Sequence, residues 1–179
     1  MDEIDPQALQ FKEVCAYYGA AMHMAQVLEH GIVNALFFLD FLPRKKSEWT
    51  DTEYEEFFDG NFSKTFGTLV NSLRKVTTVP QAFDDLIRRS NKRRNYLAHT
   101  FFRENMDVLY AGGFEEIVTR LNDDIELFRE ADAALTVILE PLWIENGWTI
   151  ERIEAEAENT KLNCVGPSQT RWSDDQKQW

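Results

Sequence analysis

The sequence predicts an all-α protein: an up-and-down bundle of four main helices with a short accessory helix and a C-terminal tail. Apolar residues recur mostly at three- and four-residue steps, as on one side of a helix, and no segment alternates with the two-residue period of a strand. Eight glycines and five prolines among 179 residues are few for a fold of many short strands and turns. With 44% hydrophobic and 28% charged residues, the composition is that of an ordinary globular protein.

The first predicted helix runs from Pro6 to Leu42 and is amphipathic along its whole length. Gly19 and Gly31 are positions where it can bend or break, because glycine weakens a helix interior. Pro43 is predicted to end it, since proline cannot continue a helical hydrogen-bond pattern.

A short helical segment and the second main helix are predicted next. Thr50 and Glu53 have the spacing of a capping box in front of the segment 54–58, and Asp-Gly-Asn at 59–61 indicates a turn. The second main helix then carries its apolar residues on one side: Phe62, Phe66, Leu69, Val70, Leu73 and Val76.

The third main helix is predicted to begin at Pro80, a residue favoured in a first helical turn, and to reach Phe101. Ala-Gly-Gly at 111–113 then breaks the chain. The fourth main helix is predicted from Phe114 to Leu142.

The C-terminal part is predicted to be less regular. Pro141 can kink the fourth helix, and Asn146 with Gly147 forms a plausible C-cap. Thr149 can cap a short accessory helix that ends near Asn159. We therefore expect one helical domain over residues 1–160 and a tail over 161–179.

Composition argues against a membrane protein and a disulfide scaffold. The most apolar stretch, 32–42, has 11 residues and contains Asn34 and Asp40, whereas a membrane span needs about 20 mainly apolar residues. Cys15 and Cys164 are too few and too far apart for a disulfide framework. The N-terminus is acidic and does not have the pattern of a signal peptide. These features predict a soluble, cytoplasmic protein.

A metal site is not indicated either. His23 and His30 lie two helical turns apart with Glu29 beside the second, and a metal would need further ligands from elsewhere. We expect neither a metal nor a cofactor.

Charge is distributed unevenly along the chain. The formal net charge is −12, yet the segment 74–103 holds eight basic and two acidic residues and so has a net charge of +6. A basic segment on an acidic body can attract an anion locally and repel a polyanion elsewhere. The simpler interpretation is a solvated, basic helix face.

One motif stands out within this basic segment. Arg94 precedes His99 by five positions on the third helix, which is about 140° of rotation and about 7.5 Å of rise, so a long arginine can lean toward the imidazole. Asn91, Asn95 and His99 follow one another at four-residue steps and share one side of the helix.

The segment 94–99, Arg-Asn-Tyr-Leu-Ala-His, resembles the Arg-x(4–6)-His motif of the HEPN superfamily (higher eukaryotes and prokaryotes nucleotide-binding domains). The close resemblance covers about six residues, and the succession of helices over 6–146 agrees more loosely. It implies a metal-independent endoribonuclease, as in toxin–antitoxin or phage-defence systems, with a composite site at a homodimer interface. Arg94, Asn95 and His99 are the implied catalytic residues, and a cognate antitoxin is an implied partner.

The chemistry of RNA cleavage agrees with these residue types. Histidine can act as base or acid near neutral pH, and a guanidinium can donate paired hydrogen bonds to a phosphate. One His99 cannot serve both sides of a phosphorus at once, but a two-fold dimer would supply two. Candidate residues for binding RNA or a nucleotide are Arg89, Lys92, Arg93, Arg103 and Tyr96, and an unpaired base can stack on Tyr96 or Phe102.

Two other interpretations stay open. One is a non-catalytic HEPN-like module that dimerises through its third helix and binds a nucleotide or a protein. The other is a purely structural bundle, in which Arg94 pairs with an acid on a neighbouring helix and His99 packs beside Phe102.

Overall fold

The computed structural model describes residues 5–44, 50–149, 151–152, 154–155 and 158, and these residues contain helices and no strand. The prediction of an all-α protein is confirmed for them, while the up-and-down arrangement of four main helices stays a prediction. The described part of the chain forms six α-helices: α1 (Pro6–Leu36), α2 (Asp51–Phe62), α3 (Phe66–Val76), α4 (Gln81–His99), α5 (Phe101–Tyr110) and α6 (Phe114–Glu145).

The chain divides into two compact units, Met1–Glu140 and Pro141–Trp179. Every side chain of the candidate site belongs to the first unit. A single domain over 1–160 stays a prediction, and the predicted tail, 161–179, lies outside the described residues.

In the second unit, the predicted C-cap and N-cap are both present. Gly147 has a φ of 75°, a left-handed conformation that suits glycine, just after the end of α6. The Thr149 hydroxyl accepts a hydrogen bond from the backbone N–H of Arg152 at 3.3 Å. Pro141 lies inside α6, which continues to Glu145.

Helix α1 keeps its α-helical form through Gly19 and Gly31, but it ends at Leu36 rather than Leu42. A wider π-helical turn, Phe37–Phe41, and a 3₁₀ turn, Leu42–Arg44, follow it. Within the wide turn, the rings of its first and last residues stack with centroids 5.4 Å apart. Ring packing at the end of the helix thus accompanies a change of turn type that periodicity did not predict.

The predicted capping box at the start of α2 is confirmed. The Thr50 hydroxyl accepts a hydrogen bond from the backbone N–H of Glu53 at 3.3 Å, and the Glu53 carboxylate accepts one from the backbone N–H of Thr50 at 2.9 Å. The helix therefore begins where its local sequence indicates.

The predicted turn at 59–61 is wrong, because these residues lie inside α2, which continues to Phe62. Asn61 is buried there, and its amide donates a hydrogen bond to the carbonyl oxygen of Phe57 at 2.7 Å. Asparagine favours turns in local sequence, but Asn61 here hydrogen-bonds to the backbone in the last turn of a helix. The second main helix correspondingly starts at Phe66.

The predicted third main helix is two helices. Thr100, with a φ of −129°, separates α4 from α5, and Pro80 lies at the N-cap of α4 rather than within its first turn. The break places Phe101 in the core, where it is 3% exposed and packs against the ring of Tyr18.

The core of the first unit is shared by all its long helices. Helix α1 packs against α2, α3 and α4, and α4 also contacts α3 and α5. The largest side chains that are almost fully buried come from α1, α3, α4 and α6: Phe66, Phe128, Leu28, Ile32, Leu69, Ile87, Leu97, Ile117, Leu121, Leu135, Leu139 and Val33.

The long first helix also has the length and hydropathy of a membrane span. In the described residues one such segment occurs, Pro6–Arg44, and 44% of its most apolar 18-residue window is buried inside the protein. A core helix of a soluble protein has the same properties, so the predicted soluble protein is consistent with it. The cytoplasmic location stays a prediction.

Candidate functional site

Helix α4 carries the candidate site, and its side chains contact four neighbouring helices, α1, α3, α5 and α6. Its buried stripe consists of Phe83, Ile87, Ser90 and Leu97, at the three- and four-residue steps of one helix side. Arg94 falls on this same stripe, between Ser90 and Leu97. A charged side chain at such a position needs a partner of opposite charge.

That partner is Glu29 of α1. The Arg94 Nε donates a hydrogen bond to Glu29 Oε1 at 2.9 Å, and the two side chains are 25% and 18% exposed. The Arg94 Nη1 lies 3.5 Å from Asn95 Oδ1. Arg94 therefore links α4 to α1 and turns the outer edge of its guanidinium toward Asn95.

Within the predicted stripe of Asn91, Asn95 and His99, the last two residues are exposed and Asn91 is half-buried. Asn95 is exposed, and its amide donates a hydrogen bond to Asn91 Oδ1 at 3.4 Å. His99 is the last residue of α4 and is exposed, and its imidazole hydrogen-bonds with no residue that the structure describes. The structure thus brings Arg94 to Asn95 and does not bring it to His99. The ring of Phe102 packs on the rings of Phe11, Tyr18 and Phe101.

The neighbouring Arg93 points to a different helix. Its Nε and Nη2 donate to the two carboxylate oxygens of Asp124, at 2.6 and 2.8 Å, and Asp124 of α6 is 5% exposed. The hydrogen bond to Asp124 raises the pKa of Arg93 above its ordinary value, although burial acts in the opposite direction. Paired, charge-assisted bonds of this kind fix the orientation of a guanidinium.

Tyr96 completes this arrangement. The guanidinium carbon of Arg93 lies 4.5 Å from the centre of the Tyr96 ring, and the Tyr96 hydroxyl accepts a hydrogen bond from the Asn105 amide at 2.7 Å. Arg93 covers one face of the ring, so at most the other face is open to the base stacking that the sequence predicts.

A groove of about 390 Å³ lies between α4 and α6 beside these residues. Three of the predicted RNA-binding residues line it, whereas Tyr96 does not line it and Arg103 is exposed on α5. The groove has four cationic and two anionic side chains, and thus a net charge of +2. Its lining consists of Arg89, Lys92, Arg93, Arg120, Asp123, Asp124 and Leu127.

Arg120 is the groove residue that sequence reasoning missed. It lies on α6, outside the basic segment, and its Nη2 is 3.3 Å from a carboxylate oxygen of Glu116 one turn earlier. Only the packing of α6 beside α4 brings it to Arg89 and Lys92, and no sequence spacing indicates that packing.

The basic segment is less positive than its sequence indicates. Four of its eight basic residues, all in the described part of the chain, pair with carboxylates: Arg74 with Asp84, Arg88 with Asp85, Arg93 with Asp124, and Arg94 with Glu29. Asp84 and Asp85 are already counted in the +6, so the two acids from outside the segment, Asp124 and Glu29, reduce it to +4. Of the four basic residues of the segment that form no ion pair within the described ranges, Arg89 and Lys92 line the groove, whereas Lys75 and Arg103 do not.

The described residues contain no group of three or more His, Cys, Asp or Glu side chains that could hold a metal ion. His23 is exposed, and the ring of His30 lies 4.5 Å from that of Phe62. The two histidines of α1 are thus separate surface residues.

Comparison with known proteins gives no relative from which a function could be transferred. No protein-family model, curated protein or solved structure matches the chain significantly.

Proposed function

We propose that this protein is a metal-independent endoribonuclease of the HEPN type that works as a homodimer, in a toxin or phage-defence role. The observation that carries the proposal is the exposed imidazole of His99 at the end of α4, on the same outward side as Asn95, which in turn contacts the guanidinium of Arg94. An imidazole that no described side chain engages is available to exchange protons with a bound substrate.

Each residue type has a role in cleavage. The imidazole of one His99 takes the proton of the RNA 2′-hydroxyl, whose oxygen attacks the adjacent phosphorus. The bond from phosphorus to the 5′-oxygen breaks, and a second imidazolium gives that oxygen a proton. The products are a 2′,3′-cyclic phosphate end and a 5′-hydroxyl end.

Arg94 is suited to holding the charged phosphate. Glu29 accepts its Nε–H and Asn95 Oδ1 accepts one Nη1–H, which leaves the other three Nη–H donors for phosphate oxygens. The Asn95 amide lies beside those donors and can contact the phosphate or the imidazole.

A symmetric dimer supplies the second imidazole. Asn95 and His99 lie one turn apart and are both exposed at the C-terminal end of α4. Two copies that face each other through this side would bring two His99 side chains to one cleft, since a two-fold interface uses the same surface on both copies. A bound phosphate would offset the repulsion between the cationic side chains there.

A second candidate function is a non-catalytic module that binds a nucleotide. The Arg94–Glu29 ion pair favours it, because a partly buried pair between two helices can be a purely structural link. In that case the groove between α4 and α6 would carry the function.

Replacement of His99 tests the catalytic assignment. Purified protein in excess chelator is incubated with single-stranded RNA, and His99→Ala is expected to reduce the cleavage rate at least about 100-fold, as for loss of a general acid–base group. His23→Ala, an exposed histidine on α1, is the matched control and should cleave as the wild type does.

An unchanged rate in His99→Ala contradicts the catalytic assignment. Growth arrest on expression in cells, relieved by the same substitution, would support the toxin role.

A further inference from the structure

The groove between α4 and α6 contains a guanidinium that is held in place and still has donors to offer. Asp124 accepts the Nε and Nη2 edge of Arg93, and the Tyr96 ring lies under its face. A guanidinium has five N–H donors, so three of those of Arg93 remain for a ligand. Because Arg93 is already oriented, little side-chain freedom is lost when it binds an anion.

Two further cations of the groove have no competing partner. Arg89 and Lys92 lie one turn apart on the exposed side of α4, and neither pairs with a carboxylate among the residues described. Both are therefore available to a ligand in the groove.

Arg120 approaches from the opposite wall. Its ion pair with Glu116 has an N–O distance of 3.3 Å, and the two side chains are 44% and 67% exposed. An exposed pair of this kind contributes little to stability, so an incoming anion can compete for Arg120.

Charge and size indicate what the groove can accept. Asp124 is occupied by Arg93, and the lining as a whole has a net charge of +2, which two negative charges would balance. A volume of about 390 Å³ is within the range of sites for small ligands. Guanidinium groups match phosphate oxygens in geometry as well as charge.

We propose that the α4–α6 groove binds one or two phosphate groups that together carry two negative charges. The residues that bind them are Arg89, Lys92, Arg93 and Arg120. The phosphate comes from two successive diesters of an RNA strand or from the terminal phosphate of a nucleotide. The RNA alternative, in which the groove binds the strand away from the cleaved bond, rests on the proposed function. Lys92 and His99 are seven residues apart, about 10 Å along the helix axis, so one strand lying along α4 can pass both.

The experiment measures binding in a His99→Ala background, in which cleavage cannot consume the RNA. The ligands are a fluorescent single-stranded RNA, adenosine 5′-monophosphate and inorganic phosphate. Arg120→Gln is expected to weaken binding about five- to tenfold, as for loss of one charge-assisted contact. For RNA, the slope of log affinity against log salt should fall by about 0.7.

Arg129→Gln is the matched control, because Arg129 is also exposed on α6 and pairs with a carboxylate on its own helix, Glu126, but lies outside the groove. It should change affinity less than twofold. Arg89→Gln, on the other wall, should repeat the effect of Arg120→Gln.

The ligands distinguish the two phosphate sources. Tight binding of adenosine 5′-monophosphate that needs Arg120 identifies a terminal phosphate, and binding of RNA alone identifies the diesters of a strand. If no ligand binds, or if binding is insensitive to both Arg120→Gln and Arg89→Gln, the groove is not a phosphate site.

Failure of the groove is distinct from failure of the catalytic assignment. If His99→Ala still cleaves RNA, only the catalytic assignment is contradicted. If Arg120→Gln and Arg89→Gln leave the binding affinity unchanged, only the phosphate site in the groove is contradicted.

Discussion

Two adjacent arginines of α4 bind acids on two different helices. The sequence indicates the arginines but not their partners. Arg93 binds Asp124 of α6 and Arg94 binds Glu29 of α1. The motif containing Arg94, Asn95 and His99 is local, so its helix and the shared stripe of Asn91, Asn95 and His99 could be predicted. The acids are 31 and 65 positions away, and no periodicity relates residues at such separations.

Arg94→Lys separates the structural role of Arg94 from its proposed chemical role. A lysine can keep an ion pair with Glu29, but its single ammonium group does not replace the Nη donors that Arg94 places beside Asn95. We expect the melting temperature to change by only a few degrees, as for a loss of less than about 1 kcal/mol, while RNA cleavage falls at least about tenfold.

Thermal unfolding and cleavage are measured on the same preparation. A variant that cleaves like the wild type would show that Arg94 acts only as a link between α1 and α4. Glu29→Gln is the companion variant: it removes the ion pair, should lower the melting temperature, and retains the Arg94 donors.

At the scale of helices, signals carried by a few neighbouring residues predicted the structure well. The capping box at Thr50 and the break at Gly112, whose φ is 92°, are where the sequence places them. The wide turn after α1, the buried Asn61 and the break at Thr100 were missed. Each of these accompanies side-chain packing or burial in the folded protein that local sequence does not indicate.

The two glycines in the middle of α1 should respond oppositely to alanine. A Cβ at Gly19 would have no other atom within 4 Å, so Gly19→Ala should stabilise the protein by about 0.5–1 kcal/mol through better helix propensity. A Cβ at Gly31 would lie 2.9 Å from Leu135 Cδ2 and 3.2 Å from Asp132 Oδ1. Because Leu135 is 2% exposed, Gly31→Ala should destabilise by about 1–2 kcal/mol.

Chemical denaturation of both variants measures the difference. Equal stabilisation by the two substitutions would show that α6 does not approach α1 as closely as the Leu135 contact indicates.

For the molecule as a whole, helical periodicity predicted the class of fold and most helix positions, but charge counting along the chain overstated the positive surface. Half of the basic residues in the segment 74–103 are ion-paired, and the groove gains Arg120 from outside it. The positions at which acids neutralise these basic residues depend on which helices pack against each other.

The pH dependence of global stability should reflect Asp132. Burial raises the pKa of this carboxyl above its ordinary value. Between the ordinary and the raised pKa the folded protein binds more protons than the unfolded chain, so the free energy of unfolding falls as pH rises through that interval. Asp132→Asn should therefore stabilise at pH 7, by less than about 1 kcal/mol because the side chain is half-buried.

Denaturation from about pH 4 to pH 8 checks this expectation, since the advantage of Asp132→Asn should shrink toward the acidic end. Glu130→Gln, an exposed change on the same helix, controls for the loss of one negative charge. A constant advantage at every pH would point to a cause other than titration of Asp132.

The wide turn at Phe37–Phe41 gives the first helix an unusual tolerance to changes of length. A turn with i to i+5 hydrogen bonds contains one residue more than an α-helical turn. Shortening the chain by one residue there would restore the regular winding and leave the flanking residues pointing in their present directions. The same deletion beside Ala21 or Ala25, both fully buried, would rotate one half of the helix against the other by about 100° and expose its apolar side.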